Sequence, residues 1–171
     1  QYLAFYWWDF LFQKEIAKLR AYLAGAIEYA PDHGKVWRTE MEKFLQEEFG
    51  HTCYNPLIEE HKYLTPDESR NFRGYKQTDP LRFQQIVRKL IQGDLRALET
   101  KIDYVICNWD KYAVKGGGTY GEITYAFYHN IPVYLASEFP VIEISGWIIG
   151  CATKIFSSFN ELKEYLKITY K

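Results

Sequence analysis

A short glycine-rich segment that ends in a glutamate holds the strongest chemical signal in this sequence. Residues 116–122 are GGGTYGE, between a predicted strand and a predicted helix. Glycines at such a junction let the backbone approach a ligand closely, and the free amides of the following helix attract an anion or the polar edge of a sugar. The segment is neither a P-loop nor a dinucleotide fingerprint, because the Gly-Lys-Ser/Thr ending of the first and the spacing of the second are missing. We therefore predict that Gly116, Gly117, Gly118 and Thr119 bind substrate.

Glu122 is the candidate nucleophile, expected in the first turn of the helix that follows the glycines. A glutamate there can simply complement the helix dipole, as on many surface helices. On the floor of a cleft, the same carboxylate can attack a sugar carbon. Retaining glycosyl transfer then needs a second acidic group, which protonates the leaving group.

Asp94 and Asp103 are the upstream candidates for this second group. Asp94 interrupts the apolar stripe of a predicted helix late along its length, where it can reach the carboxyl edge of a sheet. Asp103 opens a predicted strand and should lie at the opposite edge. Asp94 is therefore the predicted acid, although a solvated helix carboxylate would produce the same pattern.

Short apolar runs alternate with amphipathic stretches along the chain, and this alternation predicts the elements that position these residues. The predicted strands are residues 20–27, 51–56, 103–109, 131–136 and 147–152. The predicted helices are 35–49, 79–100, 120–129 and 158–167, with a break suggested at Gly93. Residues 57–78 are polar and are predicted to form a long loop that could close over a site.

This alternation is typical of an α/β fold with a parallel sheet covered on both faces. We predict a single doubly wound, flavodoxin-like, three-layer domain with a five-stranded parallel sheet, over residues 20–171. Such sheets bind ligands at the carboxyl ends of their strands, beside the point where the strand order reverses. The loops after Ile27, Pro56, Trp109 and Ala136 are the expected place for chemistry.

Composition narrows the class of partner. The 171 residues carry a net charge of −1, so no basic field is present to gather polymeric nucleic acid or an anionic membrane surface. The three cysteines are widely spaced in apolar segments, which favours buried thiols and a cytoplasmic location. Four scattered histidines and no Cys-x-x-Cys motif give no support to a metal site, and no cofactor is expected.

Residues 1–19 form an aromatic segment of their own. They lack the basic start and cleavage site of a signal peptide, and Asp9, Lys14, Glu15 and Lys18 interrupt them too early for a membrane span. We predict an amphipathic segment that docks on its own core or on a second subunit. A homo-oligomer, a dimer or larger, is therefore expected.

Five short motifs, taken in order, resemble the nucleoside 2-deoxyribosyltransferase family and its N-hydrolase relatives. They are YLAGAI at 22–27, GDL at 93–95, DYVI at 103–106, GTYGE at 118–122 and PVY at 132–134. The resemblance covers about residues 20–136. It implies an enzyme of nucleoside salvage that breaks the N-glycosidic bond of a nucleoside or nucleotide.

The resemblance also implies a role for individual residues. Glu122 would attack C1′ of a deoxynucleoside, and the covalent deoxyribosyl-enzyme would then pass its sugar to a second base or to water. Asp94 would assist protonation of the departing base or orient the sugar. Tyr22 would position the nucleophile, and Gly25 would lie against the substrate. A tyrosine near the carboxyl end of the first strand can hydrogen-bond a carboxylate near the carboxyl end of a neighbouring strand.

The positions at which this sequence departs from the family indicate whether the substrate carries a 5′-phosphate. The branch that hydrolyses nucleoside 5′-monophosphates has serine in place of Ala26 and of Gly116, and arginine in place of Glu28. An unphosphorylated nucleoside is therefore expected, unless Lys111 or Lys115 supplies a cation.

The transferase branch has an aspartate shortly before the nucleophile, for which only Asn108 and Asp110 could substitute. Asn108 is therefore a further candidate for substrate binding. A phosphoribohydrolase of the lysine-decarboxylase-like family, which resembles residues 116–122, and a non-catalytic nucleoside or nucleotide sensor are the alternatives.

Overall fold

A five-stranded parallel sheet forms the centre of the protein. The computed structural model describes residues 18–170. The strands are β1 (Arg20–Gly25), β2 (Thr52–Tyr54), β3 (Tyr104–Trp109), β4 (Val133–Ser137) and β5 (Lys154–Phe156). They lie in the order β2-β1-β3-β4-β5, and every neighbouring pair is parallel. The predicted flavodoxin-like sheet is confirmed, and its order reverses between β1 and β3.

Helices cover both faces of this sheet. They are α1 (Lys35–Phe49), α2 (Pro56–Glu59), α3 (Pro66–Thr78), α4 (Pro80–Lys101), α5 (Gly117–Tyr128), α6 (Gly146–Cys151) and α7 (Phe159–Tyr170). One core lies between the sheet and α4, α5 and α6, and it includes Tyr22, Leu98 and Ile123. The other lies between the sheet and α1 and α7. The result is the predicted three-layer domain.

Residues 57–78, predicted as a loop, are mostly helical, so that prediction was wrong. The side chain of Thr65 accepts a hydrogen bond from the Glu68 amide while Glu68 accepts from the Thr65 amide, and Pro66 occupies the first turn of α3. This capping box starts a helix without a long apolar stripe. Phe72 alone is fully buried on α3, and it packs in a small third core against α4.

The predicted strand at residues 147–152 was also wrong. Those residues form most of α6, and the fifth strand follows at Lys154–Phe156. Ile148 and Cys151 are buried three positions apart, which is helical spacing, whereas a short apolar run without turn signals fits either element. Gly93 does not break α4 either. A side chain there would lie 2.5 Å from Cζ of Tyr63, so the glycine makes room for that ring.

Helix α5 begins at Gly117, earlier than predicted. Gly116 is the residue before its first turn, and Gly117 and Gly118 belong to the helix rather than to a loop. Glu122 is therefore the sixth residue of α5 and not part of its first turn. This places its side chain against the sheet, since Ile123 and Ala126 on neighbouring positions are buried.

The predicted docking segment at residues 1–19 lies almost entirely outside the described residues. Within residues 18–170, no helix has the length and apolar character that a membrane crossing needs. Cys107 and Cys151 are buried and Cys53 is half-buried, and all three thiols are free. The prediction of unpaired, mostly buried thiols is confirmed.

Candidate active site

A buried tyrosine holds one oxygen of the Glu122 carboxylate. Tyr22 lies in β1 on the face covered by α5, and it has no solvent exposure. Its hydroxyl donates a hydrogen bond of 2.9 Å to Oε1 of Glu122. Oε2 of Glu122 is buried and has no hydrogen-bond partner among the described residues. A carboxylate fixed at one oxygen and free at the other is ready to react through the free one.

A second tyrosine–carboxylate pair lies beside the first. The hydroxyl of Tyr54, at the end of β2, donates a hydrogen bond of 3.0 Å to Oδ1 of Asp94 on α4. The rings of Tyr22 and Tyr54 stack in parallel with their centroids 5.1 Å apart. The stacked tyrosines of two adjacent strands therefore hold two carboxylates, Asp94 from α4 and Glu122 from α5, beside each other.

Both carboxylates face one cavity of about 710 Å³ between α4 and α5. Its lining residues are Ile91, Asp94, Leu95, Gly117, Gly118, Tyr120, Gly121, Glu122, Thr124, Tyr125 and Tyr128. A cavity of this size is within the usual range for small-molecule sites. Its walls are largely apolar and aromatic, and the two carboxyl groups are its titratable acids.

The electrostatics of the pair follow from burial. Burial, with a smaller contribution from the Asp94 carboxylate, raises the pKa of Glu122 from 4.5 to about 7. Burial likewise raises the pKa of Asp94 from 3.8 to about 6, although the Tyr54 hydrogen bond acts in the opposite direction. Two adjacent carboxyl groups titrate as a coupled pair. Between these two values the pair holds about one proton, as acid–nucleophile chemistry requires.

A buried arginine, whose structural role the sequence did not reveal, holds the backbone beside this site. Arg38 on α1 has no solvent exposure. Its guanidinium donates hydrogen bonds of 2.8 to 3.3 Å to five backbone carbonyls, those of Leu23, Gly25, Ala26, His33 and Gly34. It thus holds the turn that follows β1. Its positive charge also lowers the pKa of both Glu122 and Asp94, against the larger effect of burial.

A second, smaller cavity of about 170 Å³ meets the first at Asp94. Its lining residues are Ile27, Glu28, Pro56, Glu60, Phe72, Arg73, Phe83, Val87, Leu90 and Asp94. Nη2 of Arg73 on α3 lies 3.2 Å from Oε2 of the buried Glu60. Glu28 forms an ion pair with Lys76, also on α3. The helix that replaces the predicted loop therefore supplies one wall of this cavity.

The other predicted binding residues are placed as follows. Gly117 and Gly118 line the larger cavity. Gly25 and Asn108 are paired in register at the carboxyl ends of β1 and β3, beside the site but not in its lining. Gly116 precedes α5, and Thr119 is buried on it.

The side-chain amide of Asn108 donates to Oδ2 of Asp110, and Oδ1 of Asp110 accepts hydrogen bonds from the backbone amides of Tyr112 and Ala113. Asp110 therefore organises the turn after β3. Asp103 accepts a hydrogen bond of 2.7 Å from the amide of Arg20, where β1 begins, so its predicted place at the opposite edge is confirmed. Among residues 18–170, no group of His, Cys, Asp and Glu side chains is arranged to hold a metal ion.

Comparison with solved structures finds two proteins that are similar to this chain. A 2-deoxyribosyltransferase from the psychrotolerant bacterium Bacillus psychrosaccharolyticus is 19% identical, with a TM-score of 0.55 over 85% of this chain and 91% of that chain. A CMP N-glycosidase from Clostridium botulinum is also 19% identical, with a TM-score of 0.49 over 87% of this chain and 98% of that chain. No family model and no curated protein matches the sequence. The first likeness shows that this chain shares the fold of a 2-deoxyribosyltransferase.

Proposed function

We propose that this protein breaks the N-glycosidic bond of a (deoxy)nucleoside and transfers the sugar to a second base or to water. The observation that carries the proposal is the free oxygen Oε2 of Glu122, buried in a cavity that also holds Asp94. The fold shared with a 2-deoxyribosyltransferase and the motif resemblance support it. The fold alone would not, because one fold serves many activities.

In the first step, Oε2 of Glu122 attacks C1′ of the sugar. A carbon–oxygen bond forms as the bond from C1′ to the base nitrogen breaks, and its electron pair leaves with the base. Asp94 gives a proton to that base, so a neutral base departs. Tyr22 holds Oε1 throughout and leaves Oε2 free for the attack.

The proton must lie on Asp94 rather than on Glu122 when the bond breaks. In the free protein burial raises the pKa of both groups, so the pair shares its proton. Positive charge develops on the sugar in the transition state, and it stabilises the ionised Glu122 beside it. The Tyr22 hydrogen bond acts in the same direction. Substrate thus shifts the shared proton to Asp94.

The second step reverses the first with a new partner. A free base or a water molecule attacks C1′, the ester bond to Glu122 breaks, and Asp94 accepts the proton from the attacking group. The apolar walls of the cavity limit the access of water, which favours transfer to a base over hydrolysis.

Charges in the smaller cavity favour a substrate without a phosphate. Three carboxyl groups, those of Glu28, Glu60 and Asp94, line it together with the single guanidinium of Arg73. Lys76 offsets the charge of Glu28 only. Lys111 and Lys115 line neither of these cavities, and both approach the ring of Tyr112 instead.

The test is a panel of deoxynucleosides and their 5′-monophosphates, each with and without a second free base, followed by base release and base exchange. Glu122→Gln is compared with Glu40→Gln, a substitution on the exposed face of α1. We expect exchange that Glu122→Gln abolishes and Glu40→Gln preserves.

Other results of this panel would identify one of the alternative functions. Release without exchange identifies a hydrolase, and a preference for monophosphates identifies a nucleotide N-hydrolase or a phosphoribohydrolase. Tight binding without turnover in any variant would make the protein a sensor and contradict the proposal.

A further inference from the structure

Two tyrosines in adjacent strands form a buried stack beside the two carboxyl groups. Tyr22 in β1 and Tyr54 in β2 are partners in the parallel register, so their side chains lie on the same face of the sheet. Their rings are nearly parallel, with an interplanar angle of 11° and centroids 5.1 Å apart. Tyr22 has no solvent exposure and Tyr54 is 2% exposed. Close packing in the core therefore fixes the position of one ring relative to the other.

The spacing of this stack suits the two carboxyl groups that it holds. Tyr22 donates to Oε1 of Glu122 at 2.9 Å, and Tyr54 donates to Oδ1 of Asp94 at 3.0 Å. In retaining glycosidases the nucleophile and the acid are about 5–5.5 Å apart. A ring separation of 5.1 Å is of the same size. Two hydroxyl groups carried by such a stack can therefore hold a nucleophile and an acid at a working distance.

Tyr54 holds only one of the two oxygens of Asp94. Among the described residues, Tyr54 is the hydrogen-bond partner of this carboxyl group, and Oδ2 has none. Asp94 lines both cavities, so Oδ2 is the oxygen that can meet a substrate. Glu122 has the same arrangement, with Oε1 held by Tyr22 and Oε2 unpartnered.

Contacts outside the stack keep the Tyr54 hydroxyl directed at Asp94. The guanidinium carbon of Arg20 lies 5.5 Å from the centre of the Tyr54 ring. The ring of Tyr63 lies against Gly93, the residue before Asp94 in α4. Burial, the Asp94 carboxylate and Tyr63 raise the pKa of the Tyr54 hydroxyl well above its ordinary value. Tyr54 therefore keeps its proton and remains a donor at neutral pH.

We propose that Tyr54 is a positioning residue for Asp94, and that the Tyr22–Tyr54 stack sets the separation between the proposed nucleophile and the proposed acid. Tyr54 holds Oδ1 of Asp94, so that Oδ2 carries the proton to the departing base. As the bond from C1′ to the base breaks, its electron pair stays with the base, and the proton from Oδ2 neutralises it. This inference rests on the function proposed above, because it assigns a task within the same reaction.

The Tyr54→Phe variant tests this assignment, since it keeps the buried ring and removes only the hydroxyl. Two substrates separate its effect on the acid from an effect on the whole site. One is a deoxynucleoside, whose base needs a proton to leave. The other is para-nitrophenyl deoxyriboside, whose nitrophenolate leaves without one.

The loss of the Tyr54 hydroxyl should be felt only where the leaving group needs a proton. We expect Tyr54→Phe to lower kcat about tenfold to a hundredfold with the nucleoside and less than about threefold with the nitrophenyl compound. Tyr22→Phe should slow both substrates, because Glu122 attacks C1′ in both. Tyr165→Phe, on the opposite face of the sheet, should slow neither.

The pH dependence of kcat is a readout that a merely structural role would not change. The hydrogen bond from Tyr54 lowers the pKa of Asp94 against the larger effect of burial. Its loss should raise that pKa, so the alkaline limb of the profile, where Asp94 loses its proton, should move to higher pH in Tyr54→Phe. Tyr165→Phe should leave this limb in place. Other charged groups also act on Asp94, and the substitution keeps all of them: Glu59, Glu60, Glu122 and Arg38.

A double-mutant cycle checks that Tyr54 acts through Asp94. In the Asp94→Asn background no carboxyl proton is available, so adding Tyr54→Phe should have little further effect on kcat with the nucleoside. Independent effects that multiply would mean that Tyr54 supports the fold or the substrate instead.

Failure of this inference can be told apart from failure of the proposed function. A wild type that releases no base from any nucleoside would contradict both. A wild type that releases base would leave the proposed function standing, and the inference would then be overturned if Tyr54→Phe slowed both substrates equally, slowed neither, or kept the alkaline limb at its wild-type pH. Thermal unfolding of Tyr54→Phe and Tyr165→Phe confirms that the compared variants are folded.

Discussion

In the proposed mechanism, the hydroxyl of Tyr22 determines which oxygen of Glu122 attacks the sugar. It is fully buried, and burial together with the adjacent carboxylates raises its pKa well above the ordinary range, so it remains a donor at neutral pH. The bond it makes to Oε1 favours the ionised carboxylate and fixes its orientation. A buried donor used in this way acts on the rate of the chemical step more than on binding.

Removing this hydroxyl should lower kcat and leave KM nearly unchanged. We expect Tyr22→Phe to reduce kcat by about tenfold to a hundredfold, the usual contribution of a hydrogen bond to a charged group. Base release under saturating nucleoside measures it. Tyr165→Phe, on the opposite face of the sheet, is the control and should retain full activity. A rise in KM at constant kcat would assign Tyr22 to substrate binding.

The raised pKa of Glu122 means that its ionised form should lower the free energy of unfolding at alkaline pH. Its folded-state pKa of about 7 lies above its ordinary value of 4.5. The wild type therefore keeps its stability below pH about 4.5 and loses part of it as pH rises through about 7. Glu122→Gln does not titrate and still accepts from Tyr22. It should therefore unfold at higher urea concentrations than the wild type at pH 8.

The expected gain is up to about 3 kcal/mol in the free energy of unfolding at pH 8, and close to zero at pH 4.5. Urea titrations at the two pH values measure it, with Glu40→Gln as the control for the loss of a surface charge. An equal difference at both pH values would mean that Glu122 is not desolvated in the folded protein.

The sequence pointed to the proposed nucleophile and acid but not to the residues that hold them in place. Glu122 and Asp94 could be identified because a glycine-rich junction and an interrupted apolar stripe leave a local pattern. Arg38 could not, because an arginine on α1 is ordinarily solvated, and its five carbonyl partners belong to a turn that forms only after folding. Tyr54 was likewise missed as a partner of Asp94, since 40 residues separate them.

At the level of elements, helix α3 shows that a capping box can start a helix where the apolar periodicity is weak. Residues 66–78 have a low apolar content, and only the cap and the contact of Phe72 with α4 favour a helix there. The predicted loop was wrong because the Thr-x-x-Glu capping box at its start favours a helix even where apolar periodicity is weak. Helix α1, in contrast, has both an apolar stripe and a Gly50 terminator, and its bounds were predicted correctly.

Helix α3 should therefore be sensitive to the loss of its cap. We expect Thr65→Ala to lower the free energy of unfolding by about 1 kcal/mol, because the Glu68 amide loses its acceptor. Thr39→Ala is the matched control, since Thr39 is exposed within α1 and alanine has the higher helix propensity. Thermal unfolding compares them, and equal midpoints would show that the cap contributes nothing.

On the scale of the whole molecule, the central sheet and helix α3 should differ in local stability. The sheet and its two large cores position the residues of the proposed mechanism, whereas α3 packs on a core of three buried residues, Leu64, Phe72 and Ile86. Ion pairs from Arg73 and Lys76 connect α3 to the rest of the site. The Lys76–Glu28 pair is exposed on both sides and contributes little, and the core beneath α3 is small, so α3 should open more readily than the sheet.

This difference in stability predicts that substrate binding will slow hydrogen exchange mainly in α3. Helix α3 forms one wall of the smaller cavity, so a nucleoside that reaches Asp94 binds only the form in which α3 is docked. Hydrogen exchange followed by mass spectrometry should show faster exchange in residues 66–78 than in β1 and β3 of the free protein. Saturating nucleoside with the inactive Glu122→Gln variant should then slow exchange in α3 while β3 stays unchanged. If α3 were already as protected as β3, the polar helix would be a fixed wall, and access to Asp94 would have to come through the larger cavity alone.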